Sequence, residues 1–113
     1  AIYNNLGKEM VVNTRNNGAI HGLDDDAVVE INSIIDAQGA RPLAFGALPP
    51  IMNGLTQQVK AFERLTIEAA VHGCRDSALL ALVSNPLVGN VTDARALLDE
   101  VLTINRPWLT QFN

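Results

Sequence analysis

The segment PIMNGLTQQVKAFERLTIEAAVHG, residues 50–73, marks the change from β to α structure in this chain. Its apolar residues recur at steps of three and four, which is typical of one face of an amphipathic helix. These residues are Ile51, Leu55, Val59, Phe62, Leu65 and Ala69. Pro50 suits a first helical turn, because the N–H that proline lacks would have no intrahelical acceptor there. Gly73 suits the C-terminal end of the helix. The segment therefore predicts a long helix from Pro50 to the residue before Gly73.

Two shorter helices are predicted after this segment. The apolar run within residues 76–83 favours a central helix, and Asn85-Pro86 ends it. Thr92 is the predicted N-cap of a third helix, with Asp93 favourably placed for the helix dipole, and Pro107 ends that helix. Its expected inner face comprises Ala94, Leu97, Leu98, Val101 and Leu102.

The part before Pro50 indicates strands and turns. Ile2-Tyr3 and residues 10–12 flank a turn rich in Asn and Gly, which predicts a hairpin. Residues 28–31 have strong β propensity, Ile34-Ile35 extend that strand, and residues 36–39 form the next turn. The sequence thus predicts an α+β fold, a small antiparallel or mixed sheet followed by three helices.

Composition excludes several classes of protein. The 113 residues suit one domain, and with 48% hydrophobic and 18% charged residues the chain is not intrinsically disordered. The longest apolar run, residues 78–83, is too short to span a membrane, so no membrane partner is expected. A net charge of −4 argues against a nucleic acid partner. A single cysteine fits a reducing compartment, which predicts a cytoplasmic location.

No catalytic, cofactor-binding or metal-binding residue is expected in this chain. His21 and His72 lack ligand partners at useful spacing, and Cys74 lies too close to His72 in sequence to share its direction. Residues 24–26, three aspartates, lack the alternating ligands and distal Glu of a calcium loop. The glycines form no phosphate-cradling motif.

The most unusual segment is NTRNNGAI, residues 13–20, which is dense in hydrogen-bonding side chains between apolar neighbours. It is too polar for the interior of a strand. One interpretation is a turn network in which Asn side chains satisfy local backbone groups. The other is a loop at a substrate pocket or a subunit interface, with Arg15 as an anion clamp. The candidate residues for this second role are Asn13, Arg15, Asn16 and Asn17.

Several blocks of the chain, in order, resemble the late part of family 4 glycoside hydrolases. The blocks are AIYNN (1–5), VNTRNNGAI (12–20), LDDDAVVE (23–30), RPLAFGALPP (41–50), VKAFERLTIEAA (59–70) and ALVSNPLV (81–88). Together they cover nearly the whole chain. The resemblance implies that residues 1–113 are a fragment of the C-terminal α+β domain of a larger enzyme, a domain like that of lactate dehydrogenase. The upstream Rossmann-like domain that binds NAD is absent from this fragment.

The resemblance also implies a parent enzyme that hydrolyses 6-phosphoglycosides, such as a phosphorylated disaccharide, with bound NAD and a divalent metal, manganese. In the implied route, the C3 hydride moves to NAD, the C2 proton is removed, and the glycosidic oxygen is eliminated. Water then adds and the hydride returns. Since the cofactor carries the hard step, the paired carboxylates of most glycosidases are not required. The family's catalytic residues lie upstream, so the fragment alone is expected to be inactive.

Three interpretations remain open. Residues 13–18 resemble the 6-phospho-β-glucosidase branch, since a Pro is favoured at the position of Arg15 in the 6-phospho-α-glucosidases. The second places the parent in a branch that acts on α-glycosides, α-galactosides or uronides. The third is a self-standing helical interaction module. In the enzyme interpretations the protein is expected to be a homo-oligomer.

Overall fold

The computed structural model describes residues 1–112, in two compact units, one from Ala1 to Pro50 and the other beginning at Ile51. The strands are β1 (Lys8–Arg15), β2 (Ile20–His21), β3 (Val28–Asp36), β4 (Gly39–Pro42) and β5 (Gly46–Ala47). The helices are α1 (Pro50–His72), α2 (Arg75–Ser84), α3 (Val91–Ile104) and a short 3-10 helix (Thr110–Phe112). The predicted α+β fold, with small sheets followed by three helices, is confirmed.

The first unit is built on a three-stranded antiparallel sheet in the order β1-β3-β4. β1 pairs with β3 over eight consecutive positions, from Lys8 opposite Ile35 to Arg15 opposite Val28. A separate parallel pair joins β2 to β5. On β3 every second residue is buried, and Val29 and Ile31 share a core cluster with apolar residues of the segment between β1 and β3. That segment therefore covers one face of the sheet, while the other face stays open.

The predicted N-terminal hairpin is wrong. Ile2 and Tyr3 are not in a strand; the segment is a turn in which Asn5 N–H donates to the Ile2 carbonyl at 3.2 Å. β1 pairs with β3 instead, because β3 offers a longer apolar partner than the short stretch before the turn.

β1 also continues through residues 13–15. The prediction that this polar stretch lies outside a strand is therefore wrong for these three residues. Asn13 and Arg15 are exposed, whereas Val12 and Thr14, which alternate with them along the strand, are partly buried. This alternation suits an edge strand with one open face, so polar side chains at every second position do not interrupt it.

The helical unit follows the predicted boundaries closely. α1 spans Pro50–His72, and Gly73 ends it with a φ of 66°. α3 is capped by Asn90 rather than by Thr92: the Asn90 side-chain oxygen accepts from the Asp93 N–H at 2.8 Å. The prediction of Thr92 as the N-cap is wrong, because Thr92 already lies within the first helical turn. No helix within residues 1–112 has the length and apolar character needed to cross a membrane.

The predicted apolar faces of α2 and α3 are less covered than expected. In α2 the buried residues are Ser77 and Ala81, and Leu80 is more than half exposed, so α2 is not enclosed as a central helix. In α3 the buried residues are Ala94 and Leu98. Leu97, Val101 and Leu102 of the predicted α3 face line an open apolar groove instead.

Candidate functional site

Asn16 holds together the segment that follows β1. Its side chain is completely buried. The amide Nδ2 donates to the carbonyls of Ile20 and Leu23, both at 3.0 Å, and to that of Asp24 at 3.3 Å. Its Oδ1 accepts from the Ile20 N–H at 2.7 Å. Main-chain bonds add to this network, since Asn16 N–H donates to the Ala27 carbonyl at 2.8 Å. Asn16 therefore fixes the path of the chain between β1 and β3.

The other three candidate residues lie at the surface around this network. Asn13 and Arg15 are on the open face of β1, opposite Glu30 and Val28 of β3. Asn17 follows with a φ of 44°, the left-handed region that Asn tolerates better than most residues. The structure thus places exposed amide and guanidinium groups beside a rigid turn. Their contact with a substrate or a neighbouring subunit stays a prediction.

The histidines and the aspartate run belong to separate local structures. His21 ends β2 and His72 ends α1. The carbonyls of Asp24 and Asp25 accept backbone N–H groups within the turn. Across residues 1–112 no three His, Cys, Asp or Glu side chains form a group that could hold a metal ion.

A small polar cluster joins α1 to the start of α2. Cys74 is the N-cap of α2, and its Sγ accepts from the Ser77 N–H at 3.5 Å and lies 3.2 Å from the Ser77 hydroxyl. The same hydroxyl lies 3.1 Å from a Glu68 carboxylate oxygen. The hydrogen bonds from the Ser77 side chain and backbone lower the pKa of the Cys74 thiol from its ordinary value of 9.0. Sequence reasoning missed this cluster, because Cys is not among the residues that are preferred at an N-cap.

An apolar groove of about 270 Å³ runs along the helical unit. Thr66 contributes the one hydroxyl among the residues that line it, and the others are apolar. They include Phe62, Ala69, Ala81, Leu98, Leu102 and Leu109. With no titratable side chain on its walls, the groove can bind apolar groups but cannot transfer protons.

Residues 1–88 match a family described as the family 4 glycosyl hydrolase C-terminal domain. The chain is 46% identical, over 112 residues, to a probable 6-phospho-beta-glucosidase of Bacillus subtilis; the match covers 99% of this chain and 25% of that protein. It is 42% identical over 103 residues to the 6-phospho-beta-glucosidase BglT of Thermotoga maritima, covering 91% of this chain and 25% of the relative. The chain thus spans about a quarter of the length of these relatives.

Solved structures share the fold. A 6-phospho-alpha-glucosidase from gut microorganisms, in complex with NAD and glucose-6-phosphate, superposes with a TM-score of 0.91 at 32% identity, over 96% of this chain and 24% of that one. The 6-phospho-beta glucosidase of Thermotoga maritima, with manganese, NAD+ and glucose-6-phosphate, superposes with a TM-score of 0.84 at 41% identity, over 93% and 26%. Since the family match covers most of its length, this chain belongs to the C-terminal domain of the family 4 glycosyl hydrolases.

Proposed function

We propose that this chain is the C-terminal quarter of a 6-phospho-β-glucosidase, an enzyme that hydrolyses phosphorylated β-glucosides with the help of NAD and manganese. The observation that carries the proposal is the 46% identity to a probable 6-phospho-beta-glucosidase over 99% of the chain. The identity to the 6-phospho-alpha-glucosidase structure is lower, at 32%. Arg15 supports the same branch, because the resemblance favours a Pro at this position in α-specific members.

The residues of this chain do not fit NAD or manganese by themselves. Residues 1–112 lack a group of ligating side chains for a metal, and the glycines are not arranged in the G-x-G-x-x-G pattern that receives a dinucleotide. In our proposal both cofactors are held by an upstream Rossmann-like domain of the complete polypeptide. The present chain then acts as a wall beside that domain and is inactive alone.

Within this wall the Asn16 network has a positioning role. It holds the segment after β1 rigid, so that the exposed Arg15 guanidinium and the Asn13 and Asn17 amides keep fixed places. A guanidinium binds a phosphate or carboxylate through two parallel N–H donors, and the amides bind sugar hydroxyls. We propose that this face lies towards the substrate or towards a neighbouring subunit.

The decisive experiment is an assay of the complete polypeptide that contains this chain. With NAD and manganese, aryl 6-phospho-β-glucosides are expected to be cleaved and the matching 6-phospho-α-glucosides left intact. Preferential cleavage of the α-linked compound would contradict the β assignment but keep the family. The isolated 113-residue chain serves as the control, and turnover by that chain would contradict its supporting role.

An α-specific parent is the second candidate. Its support is the TM-score of 0.91 with the 6-phospho-alpha-glucosidase structure. We rank it below the β assignment because backbone similarity of a supporting domain does not report which linkage is cleaved elsewhere in an enzyme.

We further propose a homo-oligomer in the cytoplasm. The free thiol of Cys74 supports the location, because reduced cysteines persist in reducing compartments. The uncovered apolar residues of α1 support association, since Ile51 and Leu55 are both more than half exposed.

A further inference from the structure

The two edges of the three-stranded sheet differ in their protection against further pairing. β4 has four residues and ends at Pro42, which lacks an N–H donor. β1 has eight residues, no proline, and an unbroken register with β3, so it contains no bulge. Met10 and Val11 on β1 are 43% and 58% exposed. Within residues 1–112 no strand pairs with the outer edge of β1. A long, regular and partly apolar edge is a template for another strand.

A second copy of β1 fits this edge in an antiparallel orientation. Directly opposed residues share a face of the sheet. In a continuous six-stranded sheet, the two-fold axis therefore lies midway between the two copies of one residue, and we call this an axis through that residue. An axis through Val11 leaves Glu9 opposite Asn13. An axis through Val12 places Glu9 opposite Arg15 at both ends of the pairing, and the opposed valines meet at the centre.

We propose that two copies of this chain associate by antiparallel pairing of their β1 strands about Val12. Opposite charges directly across a strand pair are favourable, and this register forms two such Glu9–Arg15 pairs on the open face. A contact in which each strand meets the same strand of the other copy is the form that a two-fold dimer requires. The inference adds a defined contact at β1 to the association through α1 proposed above, and it does not depend on the substrate.

Charge-reversal variants of the complete protein test the register. Glu9→Arg or Arg15→Glu alone places like charges opposite each other, and each is expected to weaken the dimer by about tenfold in sedimentation equilibrium. The double variant restores opposite charges and is expected to return the dissociation constant to near the starting value. Both side chains are exposed, so folding is retained. Two single variants that leave association unchanged, or a double variant that does not recover, would overturn the register.

Cysteine cross-linking in a Cys74→Ser background tests the axis directly. In Val12→Cys the two new thiols face each other across the axis, at about 5 Å between Cβ atoms, so oxidation is expected to yield a disulfide-linked dimer. The matched control is Thr14→Cys on the same face, where the two thiols are about 13 Å apart along the strands and stay unlinked. Absence of the Val12→Cys dimer would overturn the proposal, including the case in which β1 pairs with another segment of a longer polypeptide. Activity assays of the unlinked protein report separately on the proposed function.

Discussion

At the scale of single residues, Asn16 is the position where the smallest change has the largest expected effect. Replacing it by Ala removes both a donor for buried carbonyls and the acceptor for the Ile20 N–H. Buried backbone groups then lose their partners, which is expected to lower the free energy of unfolding by about 2–4 kcal/mol. Urea denaturation measures this loss. The matched control is Asn13→Ala on the exposed face of β1, expected within about 0.5 kcal/mol of the unmodified protein. Similar losses for the two variants would contradict the structural role of Asn16.

Cys74 gives a pH-dependent prediction. The Ser77 hydroxyl has one proton and two acceptors, Cys74 Sγ and the Glu68 carboxylate. Ser77→Ala removes the main cause of the lowered thiol pKa, so its alkylation profile is expected to move to higher pH. Glu68→Gln removes a negative charge and weakens the competing acceptor, so the profile is expected to move to lower pH. The measurement is the rate of iodoacetamide alkylation as a function of pH. A pH profile that is unchanged in Ser77→Ala would refute this account.

The lowered thiol pKa of Cys74 also makes the stability of the fold depend on pH. The thiol pKa is lower in the folded chain than the ordinary value of 9.0. Cys74 therefore contributes stability that is present above the unfolded pKa and is lost as the pH falls through the folded pKa.

At the scale of elements, the junction between α1 and α2 depends on Gly73. Its φ of 66° is a left-handed conformation, and an added Cβ would lie 1.7 Å from the Gln111 carbonyl oxygen. Gly73→Ala is therefore expected to lower the free energy of unfolding by more than about 2 kcal/mol, since both the backbone strain and the clash oppose folding. Gly54→Ala in the interior of α1 is the control, because nothing lies within 4 Å of its added Cβ. That change is expected to stabilise the helix by up to about 1 kcal/mol. Thermal denaturation compares the two, and equal effects would contradict the close approach of Gln111.

Local signals predicted α1 well, and tertiary context explains the misses. The bounds of α1 follow from Pro50, Gly73 and a regular apolar period, all of which act within the helix itself. The partner of β1 could not be read from its own residues, because pairing with β3 depends on a strand that begins more than ten residues later. The predicted cap of α3 was wrong by two residues. Asn90 and Thr92 are both good capping residues, and backbone geometry selects between them.

At the scale of the whole molecule, the sequence identified the family but left the site largely undetermined. The ordered blocks indicated family 4, and the match to residues 1–88 confirms it. Residues 13–20 were interpreted either as a turn network of Asn side chains or as a loop at a substrate pocket or subunit interface. The hydrogen bonds of the Asn16 side chain to local backbone groups agree with the first interpretation at that residue. The structure divides residues 13–17 into an edge strand, a buried amide and an exposed turn, because alternation along β1 and burial at Asn16 depend on what packs against each residue. The Cys74 cluster was missed because Glu68 and Ser77 meet across two helices.

If an upstream domain packs beside this chain, as proposed, it is expected to cover the exposed apolar surface at the start of α1. Ile51, in the first turn of α1, is 86% exposed here, and its neighbours Met52 and Leu55 are also more than half exposed. A contiguous exposed apolar patch of this kind is typical of a surface that another part of a protein covers. In the complete polypeptide, Ile51→Glu is expected to lower the free energy of unfolding by about 2 kcal/mol or more, because a charge would replace a buried apolar group. Gln58→Glu, an exposed polar position on the same helix, is the control and is expected within about 0.5 kcal/mol. If the end of α1 is instead open to water in the complete protein, Ile51→Glu becomes neutral or slightly stabilising, since an acidic residue suits a first helical turn. Chemical denaturation of the two variants therefore decides whether the wall described above is covered at this point.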